Sequence, residues 1–208
     1  RQCKFVNKSI QMKNQNPCLL VLNELGDGDL KMFLEKKLHI WNHDLVHNCI
    51  FQIICGLYAL EKYFGATHND LHYGNVLVHQ ISSGGYWKYK INNEIYTVPN
   101  MGYLFVLWDF GFVDIKNKIR GKPKKNETDI GRISYIMNDM LTSKKAKQFS
   151  KMNNEKNALL SSIIELEGKV SLSYILKHAF SIYQSTSTPT PTPTSTIQNI
   201  SISASFFK

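Results

Sequence analysis

The chain has no long apolar run. Its longest unbroken stretch, Ile53 to Leu60, is eight residues and includes a glycine, whereas a membrane-spanning helix needs about 20, so no span is expected. Arg1-Gln2-Cys3-Lys4 leads into no apolar core of the kind a secretory signal carries. The chain does not begin with Met, so a piece of a longer product is expected. Its four cysteines, Cys3, Cys18, Cys49 and Cys55, form no C-x-x-C pair and no zinc spacing. A soluble protein in reduced, intracellular surroundings is the simplest setting, with Cys49 and Cys55 as buried thiols on a helix. Acid is the scarce charge: 16 Asp and Glu stand against 25 Lys and Arg in 208 residues, a formal net charge of +9. With 43% hydrophobic and 20% charged residues, the composition is that of a globular protein and excludes a wholly disordered chain.

The basic excess is local. Eleven Lys/Arg and four Asp/Glu between Phe112 and Lys151 put +7 into forty residues, and six Lys/Arg fall within residues 116–125. A field of that kind attracts phosphates, acidic peptides or nucleic acid; a solvated lysine-rich face is the plainer alternative.

Hydrophobic patterning divides the chain. Residues 17–25 (PCLLVLNEL) suit a buried strand, broken by Gly26-Asp27-Gly28. Asp29 is placed to cap a helix opening at Leu30, with Leu30, Phe33, Leu34 and Leu38 on one face. Leu45, Cys49, Ile53, Leu57 and Leu60, flanked by Val46, Ile50 and Ile54, predict a mostly buried helix from about Asp44 to Tyr63, stopped by Gly65. A polar loop follows, then a short strand, Val76-Leu77-Val78. Residues 86–98 alternate about Asn92-Asn93 as a hairpin does. Tyr103 to Trp108 reads as a further buried strand. Helices are expected over Asp129–Leu141, Asn153–Leu166 and Ser171–Tyr183. Residues 185–208 open on STSTPTPTPTST, a low-complexity Thr-Pro tract that cannot pack a core and is expected to be mostly disordered.

Two polar motifs abut these buried elements: H-N-D-L-H-Y-G-N at 68–75, with a strand after it, and D-F-G at 109–111, with a strand before it. Each is short. Together, in this order, they resemble the catalytic loop and metal-binding motif of the protein-kinase-like superfamily. H-N-D-L-H-x-G-N and the Gly-Tyr-Leu strand ending in W-D-F-G are similar to kinases of large DNA viruses in particular, of the mimivirus type.

The resemblance spans about residues 17–141. It implies an α+β, mainly helical fold: a kinase C-lobe over 26–184 with small β-hairpins and a hairpin insertion at about 79–104. It also implies that residues 1–25 are a remnant of a truncated N-lobe with the hinge strand. The activity implied is transfer of the ATP γ-phosphate to a protein Ser or Thr hydroxyl, with two Mg²⁺ ions, in a host cytoplasm or virion. Phosphoryl transfer asks a protein for positioning and charge neutralisation. Asp70 would orient the attacking hydroxyl, and His72 would stand where a phosphate-neutralising lysine is common. Asn75 and Asp109 would supply oxygens to the metal. Leu22 (the gatekeeper), the Asn23 carbonyl, the Leu25 amide, Asp29 and Leu77 would hold the adenosine. His68, Phe110, Gly111 and Asp129 would be structural supports, Asp129 by bracing the catalytic loop.

The chain also departs from that pattern. No Gly-rich loop and no strand lysine paired with a helix glutamate is evident upstream. Asn69 replaces the arginine that senses activation-loop phosphorylation. Only twenty positions separate Asp109 from Asp129, with no A-P-E between them. A phosphotransferase of the aminoglycoside or choline type, and a non-catalytic pseudokinase or scaffold, are therefore the alternatives, with zinc binding by His68, Asp70 and His72 a remote third. The basic run at 116–125 would meet an acidic or phosphorylated protein substrate; nucleic acid is not favoured.

Overall fold

The computed structural model describes residues 25–115, 129–142, 171–184 and 197–199. Leu22 and Asn23, the expected hinge strand and N-lobe remnant, the basic run at 116–125 and the helix expected over 153–166 lie outside them. Helix and sheet are mixed. Three small sheets surround one long helix, α2 (His43–Phe64).

The sequence explains where α2 begins and ends. The Asn42 side chain accepts the Leu45 amide at 2.9 Å and caps the first turn. Gly65 closes the last turn in the left-handed conformation at φ 58°, where a side chain would be strained. Almost all of its apolar face is sealed: Cys49, Ile50, Phe51 and Ile54 are fully buried. The shorter α1 (Leu30–Lys36) precedes it, capped by Asp29 through a 2.7 Å bond from the Met32 amide, and Phe33 and Trp41 join α1 to the core, the indole donating to the Phe33 carbonyl at 3.2 Å.

The first sheet has the order β1 (Gly28–Asp29), β3 (Val76–Gln80), β6 (Tyr103–Leu107), all antiparallel. Val76, Val78 and Phe105 point into the core. The second is a two-strand clasp of β2 (Ala66–Thr67) with β7 (Asp114–Ile115). The third is the hairpin β4 (Tyr86–Ile91) and β5 (Glu94–Pro99), turned at Asn92 with φ 55°. Residues 197–199, within the stretch expected to be disordered, form β8, parallel to β4; three paired residues suffice because β4 offers them an open edge.

The hairpin packs away from the loop at 68–75. Tyr89 and Tyr96 meet Phe51 of α2 at ring-centroid distances of 5.1 and 5.8 Å, and Phe180, just past α4 (Leu172–Ala179), meets the same ring at 5.3 Å. The insertion is thus a buttress that bridges α2 and α4. A fourth helix, α3 (Asp129–Thr142), starts beside the loop at 68–75. Among the described residues no helix is long and apolar enough to cross a membrane.

Candidate active site

The 68–75 loop is built on three anchors. Its entrance is the β2–β7 clasp, in which Thr67 pairs with Asp114. His68 is fully buried. Its Nε2 lies 2.9 Å from the Trp108 carbonyl, which can only accept, so Nε2 carries the proton and Nδ1 is left to accept the Asp70 amide at 3.4 Å. The Phe110 ring lies 5.5 Å from the imidazole. Asp129, the first residue of α3, accepts the His68 amide on Oδ2 at 2.7 Å and the Asn69 amide on Oδ1 at 2.9 Å. Asn69 stands at φ 61° and its side-chain amide donates to the Phe112 carbonyl at 3.1 Å, joining this loop directly to the segment after D-F-G.

The polar side chains then converge. Asn75 is 5% exposed. Its Nδ2 donates to the Asp70 carbonyl at 2.8 Å and reaches Asp70 Oδ2 at 3.5 Å, while its backbone carbonyl accepts the Trp108 amide at 2.9 Å. One residue therefore holds Asp70 on one side and the approach to Asp109 on the other. His72 caps the 3-10 turn Tyr73–Asn75 by accepting the Gly74 amide on Nδ1 at 3.1 Å. Nε2 is left as its donor, 3.9 Å from Asp70 Oδ2, on a side chain half exposed at 51%. Asp109 is exposed, left-handed at φ 58°, ψ 77°, and accepts the Gly111 amide on Oδ1 at 3.2 Å. Of the three non-glycine residues at positive φ among those described, Asn69 and Asp109 fall in these two motifs. Each such residue costs on the order of 1 kcal/mol or more, so the surrounding bonds hold both against local preference.

The first sheet supplies a floor. Asp29 pairs with Leu77, and Leu77 with Val106, so the three form one row across β1, β3 and β6. Successive residues of a strand alternate faces; because Val76, Val78 and Phe105 are buried, this row lies on the opposite face. Leu77 is half-buried and Val106 is 36% exposed. The Trp108–Asn75 bond extends the same ladder one step, which puts Asn75 and Trp108 on that face too. Val106 and Trp108 were missed from the sequence. Leu25 is 92% exposed. Leu22 and Asn23, being outside the described residues, are not placed.

The donors available suit a hard cation. Asn75 spends Nδ2 on Asp70, which leaves its Oδ1 for a metal; Asp109 spends Oδ1 on Gly111, which leaves Oδ2. Mg²⁺ is usually bound through one or two carboxylates together with phosphate oxygens and water, and Asp109 with Asn75 fits that pattern. A zinc site at His68, Asp70 and His72 does not fit: both His68 nitrogens are engaged, and no three His, Cys, Asp or Glu residues come together as a metal cage among the described residues.

Comparison with known proteins gives a matching direction. The chain is 37% identical over 98 residues to a frog virus 3 (isolate Goorha) protein provisionally named serine/threonine-protein kinase 019R, a match covering 46% of this chain and 11% of that protein. It is 29% identical over 96 residues to an invertebrate iridescent virus 6 protein, also named provisionally as a serine/threonine-protein kinase, covering 45% and 17%. It is 24% identical over 110 residues to an Acanthamoeba polyphaga mimivirus protein named in the same provisional way, covering 50% and 24%. The matched stretch thus spans between a tenth and a quarter of these relatives' length. No protein-family model matches the chain.

Proposed function

We propose that this chain carries the catalytic half of a protein-kinase-like phosphotransferase, which moves the γ-phosphate of ATP to a Ser or Thr hydroxyl of a protein. The observation that carries the reading is the Asn75 junction: its side chain bonds Asp70 while its carbonyl bonds the residue before Asp109. Two carboxylates and one amide oxygen are thereby gathered at a site floored by the Asp29–Leu77–Val106 row. The provisional kinase names of the viral relatives support the same reading.

Roles follow from the chemistry. Asp70 accepts a hydrogen bond from the substrate hydroxyl, orients the oxygen for in-line attack and takes the proton as the new P–O bond forms. His72 offers its Nε2–H toward the same space, where a donor offsets charge on the transferred group. When bound, Mg²⁺ supplies charge neutralisation of the phosphates, and Asp109 and Asn75 are its ligands, for two ions if the kinase pattern is complete. Leu77 lies under the adenine, Asp29 beside the ribose, and Leu22, Asn23 and Leu25 complete the base site from the hinge. His68, Phe110, Gly111 and Asp129 act through the loop they support. The 116–125 basic run receives an acidic or phosphorylated stretch of the protein substrate.

A small-molecule phosphotransferase is the second reading, favoured by the twenty positions between Asp109 and Asp129, which leave little room for a peptide platform. Thermal unfolding with and without Mg-ATP tests the common core of both. Stabilisation by Mg-ATP that Asp109→Asn abolishes is the expected result; an unchanged melting curve for the wild-type chain sinks the nucleotide reading in favour of a scaffold. Transfer of labelled γ-phosphate to proteins, against amino-alcohols and sugars, then separates the two kinases.

A further inference from the structure

We infer that Trp108 is the aromatic wall of the nucleotide site, on which the purine base stacks; this rests on the nucleotide reading above. The backbone of Trp108 is fixed on both sides by deeply buried partners, its amide on the Asn75 carbonyl at 2.9 Å and its carbonyl on His68 Nε2 at 2.9 Å. The side chain is nonetheless 37% exposed, while Trp41 is only 5% exposed and Trp87 packs against the core. A large aromatic held rigidly at a surface is available for contact at little entropic cost.

Its position says what that contact is. The ladder puts Trp108 on the same face as Leu77 and Val106, two residues along β6 from Val106 and so about 7 Å away. The next residue is Asp109. A flat group lying over the Leu77–Val106 row therefore has aliphatic surface beneath it and an indole at its side, with a carboxylate one residue further on. Leu77 and Val106 can bury any apolar group; only Trp108 among these offers a π surface, and that favours a base over a sugar or an amino-alcohol. Stacking of this kind is sequence-tolerant among bases but absent for a ligand without one.

The test compares Mg-ATP with Mg-tripolyphosphate, which lacks the base, by calorimetric titration of wild type, Trp108→Leu and Trp108→Phe. Trp108→Leu is expected to weaken Mg-ATP about tenfold and leave Mg-tripolyphosphate unchanged. Trp108→Phe should keep most of the ATP affinity. Tryptophan emission of the wild type should be quenched by Mg-ATP, and the quenching should vanish in Trp108→Phe. Equal ATP affinity in wild type and Trp108→Leu overturns this inference alone, as does a parallel loss for tripolyphosphate, which would mean a merely structural role. A wild-type chain that does not bind Mg-ATP overturns the nucleotide reading and this inference with it.

Discussion

Asp129 and His68 are 61 residues apart in sequence, yet the Asp129 carboxylate accepts the His68 amide at 2.7 Å and, with its other oxygen, the neighbouring Asn69 amide at 2.9 Å. Both ends of the carboxylate are used on backbone, so the start of α3 and the loop carrying Asp70 move as one piece. Hydrogen bonds to a charged group contribute about 1.5–3 kcal/mol each. Asp129→Asn can accept only one of the two amides and turns its own NH₂ toward the other. A loss of about 2 kcal/mol in urea unfolding is expected, and about 3 kcal/mol for Asp129→Ala. Wild-type stability in both variants would mean that the brace carries no load.

Asn69 ties the same loop to the segment after D-F-G, through Nδ2 and the Phe112 carbonyl. Two variants separate its two contributions. Asn69→Gly keeps the left-handed backbone and removes only the tie, at a cost of about 1 kcal/mol. Asn69→Ala also loads a Cβ onto φ 61°, at a further 1 kcal/mol or so. Amide exchange at Val113–Ile115 should quicken in both, since the β2–β7 clasp is two residues long. If exchange there stays at the wild-type rate, the tie is incidental.

Much of this was legible beforehand, for identifiable reasons. The apolar stripe of α2, its Gly65 stop, the Asp29 cap and the Asn92–Asn93 turn each rest on local signals that a single segment carries. β1, β2 and β7 were not legible, because a two-residue strand has no period and exists only through its partner. The spacing of Asp70, Asn75 and Asp109 pointed to one site. That Val106 and Trp108 share a face with Leu77 depends on the register of β3 against β6 across an intervening hairpin, which no local pattern encodes. The segment expected to hold Leu22 and Asn23 lies outside the described residues, so the base-edge contacts stay where the motif put them, as a proposal.

The buried polar row on α2 was also invisible in the sequence. Asn48 and Gln52, four apart, look like a solvent-facing stripe, yet they are 1% and 5% exposed. Gln52 Oε1 accepts the Phe105 amide at 3.0 Å, and its Nε2 donates to Asn48 Oδ1 at 2.6 Å and to the Tyr103 carbonyl at 3.3 Å. One side chain thereby satisfies the outer edge of β6, which has no further strand beside it. Gln52→Leu fills the space but strands the Phe105 amide in the interior, a loss of about 2 kcal/mol or more. Gln52→Glu keeps the acceptor and should recover the Phe105 bond while losing both donations. A Leu variant as stable as wild type in urea would show that the edge finds other partners.

The interior thiols set a limit at high pH. Cys49 and Cys55 are 0% and 2% exposed, and burial pushes both thiols well above their ordinary range. Their folded forms hold protons that the unfolded chain releases sooner, so this contribution is fully present below the ordinary thiol range and is lost as pH rises through it. The slope is about 1.4 kcal/mol per pH unit for each thiol. Tyr89 and Tyr183, also raised chiefly by burial, act in the same direction at higher pH. Urea midpoints measured from pH 8 to 10 should therefore fall steeply, and the fall should flatten when Cys49→Ala and Cys55→Ala are combined. Because the thiolate is the reactive form, neither thiol should react with an aromatic disulfide reagent in the folded Cys3→Ser/Cys18→Ser chain at pH 8, and both should react once the chain is unfolded. Rapid labelling of the folded chain would mean that α2 opens far more readily than its packing against β6 and α4 allows.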